Sequence, residues 1–138
     1  MSNILQKTLL GIDLGEKRTG LAISHGFATE SLGYLDFSRK DEFFKKLKEI
    51  VDEQKVQLCV VGLPLAKNGE ETMQSRWTRE AAKEIADRAQ IPIVFQEESF
   101  TSTQALEELG KIKKKGEIDA RSASLILQRY IDEESASQ

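Results

Sequence analysis

One cysteine and one histidine occur in 138 residues, and that scarcity removes several chemistries. Cys59 cannot form an intrachain disulfide, and it sits in the apolar stretch LCVVG, where a thiol acts as a small core residue. No Cys or His spacing matches a zinc site. His25 has no obvious partner and reads as a loop residue, which leaves a serine or cysteine nucleophile without a base. The longest apolar run, Leu58 to Ala66, is broken by Gly62 and Pro64 and is far shorter than the roughly 18–20 residues of a membrane span. The opening MSNILQKTLLGID lacks the basic region, long apolar core and cleavage site of a signal peptide. These features together predict a protein of the reduced cytoplasm. GxGxxG and GxxxxGK[ST] are both missing, so neither a dinucleotide fold nor a P-loop gains support. No internal repeat and no linker appears.

Charge is nearly balanced. Twenty Lys+Arg stand against 23 Asp+Glu, a formal net charge of −3. A strongly basic nucleic-acid binder, with a pI above about 9, is therefore not what the totals describe. With 39% hydrophobic and 31% charged residues the composition is that of a globular chain. Its length predicts a single domain over 1–138, with a polar, frayed tail over about 133–138.

Patterning predicts strands at 7–14 and 20–24 about the polar turn EKRT, and a third at 32–37. Phe43, Leu47, Ile50 and Val51 recur at helical spacing, so 39–53 reads as an amphipathic helix. The apolar run at 56–62 is that of a strand buried on both faces. A helix follows at about 72–89, with Trp77, Ala81, Ile85 and Ala89 on one stripe; Trp77 is read as core. PIVFQ forms a further strand ending at Glu97–Glu98. Thr101 and Gln104 have capping-box spacing for a helix that Gly110 stops. The basic loop KIKKKGE then leads to a last helix beginning near Asp119, with Ala120, Ala123, Leu127, Tyr130 and Ile131 in register. The order β-β-β-α-β-α-β-α-α predicts an α/β fold: a mixed five-stranded sheet, an antiparallel meander of three strands plus two parallel strands, flanked by helices.

Ligands of such sheets gather at the carboxyl ends of the parallel strands, where Asp13, Gly62 and Glu98 fall. Alone, Asp13 could be a turn residue, Glu98 a polar strand exit, and Asp119 a helix N-cap. Glu97 and Glu98 are adjacent, so one of the two looks into the site. As a set, three carboxylates at one sheet edge and one helix form the oxygen-rich donor group that Mg²⁺ or Mn²⁺ prefers. Hard cations in such a group activate water and stabilise a leaving oxygen in phosphodiester hydrolysis.

Four blocks, GIDLGEKRTGLAIS, VVGLPLAKNGEET, EESFTSTQALEEL and KKKGEIDARSASLILQRYI, resemble in order and spacing the motifs of the YqgF (RuvX) family. The resemblance implies an RNase H-like fold and a metal-dependent nuclease that matures the 5′ end of 16S ribosomal RNA, with Holliday-junction resolution in some members. It assigns the first-strand aspartate to Asp13, the glutamate of the acidic motif to Glu98 and the last-helix aspartate to Asp119. Three departures stand out. Ser99 replaces the arginine of the acidic motif and removes one phosphate-steering charge, Glu97 replaces an aspartate, and His25 stands where aspartate is common.

Lys17 and Arg18 flank Asp13, Arg76 and Arg79 follow the VVGLPLAKNG loop, and Lys111, Lys113, Lys114 and Lys115 precede Asp119. Beside a carboxylate cluster these are candidates to neutralise phosphates. No interleaved aromatics form a base-stacking platform, so backbone and shape are the expected means of recognition. The expected partners are structured RNA or branched DNA and ribosomal precursor particles, with no membrane, and the expected state is a monomer or weak homodimer. Two other readings compete. One is a non-catalytic RNA- or ribosome-associated module. The other is an ATP-binding relative of the actin-like kinases, whose phosphate hairpin DLGEKRTG resembles, although those proteins enclose their nucleotide between two domains.

Overall fold

The computed structural model describes residues 7–26, 28–98 and 115–136, and over 115–120 it is the backbone that is described. Ser99, the Thr101–Gly110 helix, Lys111, Lys113 and Lys114 lie outside the described residues. Five strands, β1 (Leu9–Asp13), β2 (Arg18–Ser24), β3 (Thr29–Asp36), β4 (Leu58–Pro64) and β5 (Ile93–Glu98), form one sheet in the order β3-β2-β1-β4-β5. The pairs β1–β2 and β2–β3 are antiparallel, and β1–β4 and β4–β5 are parallel. The helices α1 (Lys40–Gln54) and α2 (Met73–Ala89) form the two crossovers, and α3 (Lys115–Ala136) follows β5.

Strand alternation sorts the apolar residues into two cores. Leu10, Ile12, Cys59 and Val61 pack against Phe43, Phe44 and Leu47 of α1 and Ala82 and Ile85 of α2. Leu9, Ala22 and Val60 face the other way, onto Ala123, Ile126, Leu127 and Ile131 of α3. The sheet is thus sandwiched between the α1–α2 layer and α3. The latter lies very close to the strands. A Cβ on Gly11 would stand 2.8 Å from Leu127 Cβ and 2.9 Å from the Ala123 carbonyl oxygen, so only glycine lets the helix approach there.

Several boundaries differ from the expectations. β2 begins at Arg18 inside the anticipated turn, because the Phe37 N–H donates to the Lys17 carbonyl (2.8 Å) and ties that turn to the end of β3. β3 extends back to Thr29 through polar residues, as an edge strand open to water can. β4 runs Leu58–Pro64 rather than 56–62, since the Gln57 N–H is taken by the Thr8 carbonyl (2.9 Å) ahead of the ladder. α3 starts at Lys115, earlier than Asp119, and continues to Ala136 through the segment expected to fray. Part of that segment is held by Gln96 Nε2, which donates to Glu133 Oε2 (2.7 Å).

Candidate active site

The site is built from strand ends. Leu10 and Ile12 belong to the α1–α2 core and Leu9 to the α3 core, so alternation puts Asp13 with Leu9 and Gly11 on the α3 side. The same count along β5 places Val94, Gln96 and Glu98 on that side and Phe95 and Glu97 on the other. Of the two adjacent glutamates, Glu98 is therefore the one that shares a face with Asp13.

Between their strands runs β4, whose residue there is Gly62. Its register follows from the Ile12–Val61 pair, one step on, which sets Gly62 beside Asp13. A Cβ on Gly62 would lie 3.0 Å from Glu98 Oε2 and 2.5 Å from Ile126 Cδ1. The Glu98 carboxylate is thus folded over the bare backbone of β4, toward the Asp13 side. The backbone beneath is fixed as well, since the Leu65 N–H donates to the Glu98 carbonyl (2.9 Å).

Glu98 is only 8% exposed. Burial pushes its carboxyl up to about 6, partly offset by the nearby Arg129 guanidinium. Asp13 is half-buried. Asp119 lies on α3 one helical turn before Ala123, whose carbonyl packs above Gly11. Among the described side chains, no three His, Cys, Asp or Glu are grouped to hold a metal. Asp13 and Glu98 are the two carboxylates described there, and Asp119 is the third position. The donor set is hard oxygen alone, and a buried carboxylate whose charge burial opposes is one that a bound cation would return to its ionised form. Both observations fit Mg²⁺ or Mn²⁺.

The basic residues divide. Lys17 and Arg18 sit where β1 turns into β2, and alternation puts Arg18 on the same sheet side as Gly20 and Asp13. Lys115 is the first residue of α3. Arg76 and Arg79 belong to α2 and come from the opposite layer. Arg76 is exposed. Arg79 is held by Glu71 through two 2.9 Å hydrogen bonds, and its guanidinium lies 5.2 Å from the Phe95 ring centroid. The structure therefore sets Arg79 beside the outward Glu97 side of β5, away from Asp13 and Glu98. Arg129, exposed on α3, is the charge near Glu98 that motif reading missed; its only sequence signal is helical spacing from Ile126.

A family model described as "RuvX: Holliday junction resolvase" matches residues 7–133. The chain belongs to the RuvX family. Among curated relatives, "Putative pre-16S rRNA nuclease" of Sulfurihydrogenibium sp. (strain YO3AOP1) is 38% identical over 135 residues, covering 94% of this chain and 92% of the relative. A protein of the same name from Ruminiclostridium cellulolyticum is 38% identical over 132 residues, covering 90% and 93%. Among solved structures, RuvC of T. thermophilus, in complex with a Holliday junction substrate, superposes with a TM-score of 0.58 at 14% identity, covering 92% of this chain and 96% of that one. A second Thermus thermophilus RuvC structure gives 0.56. At that identity the likeness establishes the fold, which is RNase H-like. Among the described residues of this RuvX chain, no helix is long and apolar enough to cross a membrane.

Proposed function

We propose that this RuvX protein is a divalent-metal-dependent nuclease that hydrolyses phosphodiester bonds of structured RNA, acting at the 5′ end of precursor 16S ribosomal RNA. The Glu98 carboxylate folded over Gly62, the β4 residue beside Asp13, carries the reading: carboxylates of two strands share one face across β4 where β4 bears no side chain. In this reading Asp13, Glu98 and Asp119 hold Mg²⁺ or Mn²⁺. When bound, such a cation acts as a Lewis acid on phosphoryl oxygen and raises the acidity of water.

The chain's own groups do the rest. Lys17 and Arg18 hold the phosphate backbone beside Asp13; Lys113, Lys114 and Lys115, which precede Asp119 in the chain, add to that hold, and Arg76 extends the track from α2. Arg79 contributes indirectly by fixing Glu71 and the loop after β4. Burial of Glu98 keeps bulk water from its carboxylate. We further propose that the protein is one domain, works in the cytoplasm on ribosomal precursor particles, and is a monomer or weak homodimer.

The test is a cleavage assay on an RNA carrying the precursor 5′ end, with Mg²⁺ or Mn²⁺, for wild type, Asp13→Asn and Glu98→Gln. Wild type is expected to cut, and each variant to lose at least about a hundredfold, since even partners one step removed from a metal cost about 10–100-fold. Inactive wild type that still binds RNA would establish the non-catalytic module instead. The family description favours one second reading, branched DNA as substrate. A four-way DNA junction run beside the RNA decides between them.

A further inference from the structure

Tyr34 is 51% exposed, on the edge strand β3. The large apolar residues exposed among those described are Leu32, Tyr34, Met73 and Leu125, and Tyr34 is the only aromatic in the group. Its place in the sheet is set by pairing. Tyr34 is opposite Gly20, and Gly20 is opposite Asp13. Paired residues share a face, so Tyr34 stands on the Asp13 side of the sheet and in the same row. Gly20 is all that β2 places between them, and it has no side chain. Two strand spacings of about 4.8 Å put the two residues about 10 Å apart, close to the reach from a phosphate to the base of the adjoining nucleotide.

The next row repeats the logic with charge. Arg18 is opposite Asp36 on the same face, and the Lys17 carbonyl is bonded to the Phe37 N–H. The phosphate-binding turn and the strand that carries Tyr34 are therefore one braced unit. A carboxylate on β1, a cation on β2 and an exposed ring on β3 thus lie in order across three adjacent strands.

From this juxtaposition we infer that Tyr34 stacks an unpaired base next to the scissile phosphate, so that the site accepts single-stranded or locally unpaired nucleic acid at the cleavage point. The inference rests on the nuclease reading and sharpens its substrate. A ring face accepts any base, so the contact selects for strandedness rather than for sequence. A base locked in a duplex offers its edges and not its face, and it cannot make this stack.

The experiment measures affinity, without added metal so that nothing is cut, for a short single-stranded RNA and for the same sequence as a blunt duplex. Wild type, Tyr34→Phe and Tyr34→Ala are compared. Tyr34→Phe is expected to bind like wild type. Tyr34→Ala is expected to lose about 5- to 100-fold for the single strand, the range of one base–aromatic stack, and under about twofold for the duplex. Tyr34→Trp adds a readout that a merely structural role would not move: its added emission should be quenched by the single strand and not by the duplex. Equal affinity of Tyr34→Ala and wild type for the single strand, or an equal loss for both ligands, overturns the inference while leaving the nuclease reading intact. Wild type that binds neither RNA also overturns the inference, while the nuclease reading is decided separately by the cleavage assay with Mg²⁺ or Mn²⁺.

Discussion

Gly62 and Gly11 show how much of this site depends on hydrogen in place of methyl. At Gly62 the atoms in the way are the ends of side chains, Ile126 Cδ1 at 2.5 Å and Glu98 Oε2 at 3.0 Å, whereas at Gly11 the Ala123 carbonyl belongs to the backbone. Gly62→Ala should therefore cost about 1–3 kcal/mol, as overpacked cores do, read as a lower urea midpoint. Adding Ile126→Val removes the closer atom and should return much of that stability. It leaves Glu98 displaced, so activity should stay low. Recovery of both together would show that Gly62 serves packing alone. That Asp13 and Glu98 end their strands on one face was legible in the chain, because strand ends and alternation need no knowledge of the fold. Tyr34 was not legible. Its face depends on the irregular register between Leu21 and Ala22, where β3 spends an extra residue, and a single such residue reverses every orientation beyond it.

At the scale of elements, the loop after β4 is held by charge at the start of α2. Thr72 and Ser75 form a reciprocal capping box, and Ser75 Oγ donates to Glu71 Oε1 at 3.0 Å. The Arg79 hydrogen bonds, with Ser75 adding to them, draw the Glu71 carboxyl from 4.5 down to about 2. A depressed carboxyl stabilises the fold above its unfolded value and loses that contribution as the pH falls through its folded value. The difference in urea midpoint between wild type and Glu71→Gln should accordingly be level above pH 4.5 and vanish on descending to about 2. A difference that does not change across that window would show that the pair acts through shape and not charge. The pair is exposed, so the effect is small at any pH. Helices α1 and α2 were legible from their apolar stripes. The start of α3 was not, because Lys115–Glu117 reads as the end of the basic loop KIKKKGE and Gly116 looks like a loop residue. β3 was only partly legible, since polar edge-strand residues look like turn until their pairing with β2 is known.

Across the whole molecule, the element order alone led to the mixed sheet with its parallel pair. The near-neutral charge total was uninformative because it averages a turn carrying Lys17 and Arg18 with the acidic end of α3, Asp132, Glu133 and Glu134. Cys59 has a consequence at this scale. Its thiol has no exposed surface, lies on β4 between β1 and the edge strand β5 and under the α1–α2 layer, and is pushed by burial up to about 12. A thiol attacks reagents only as thiolate and only where they can reach it. No breathing of the edge strand β3 or of the end of α3 bares it, so its chemistry waits on lifting of the α1–α2 layer or loss of β5, both packed through the larger core. The rate at which an aromatic disulfide reagent modifies Cys59 should therefore equal the rate of global opening and show the same urea dependence as unfolding followed by circular dichroism. Faster labelling would mean that β5 or the α1–α2 layer opens while the rest of the fold stays closed. The protein carries its own clock for the loss of its fold, set at the one position where chemistry is otherwise silent.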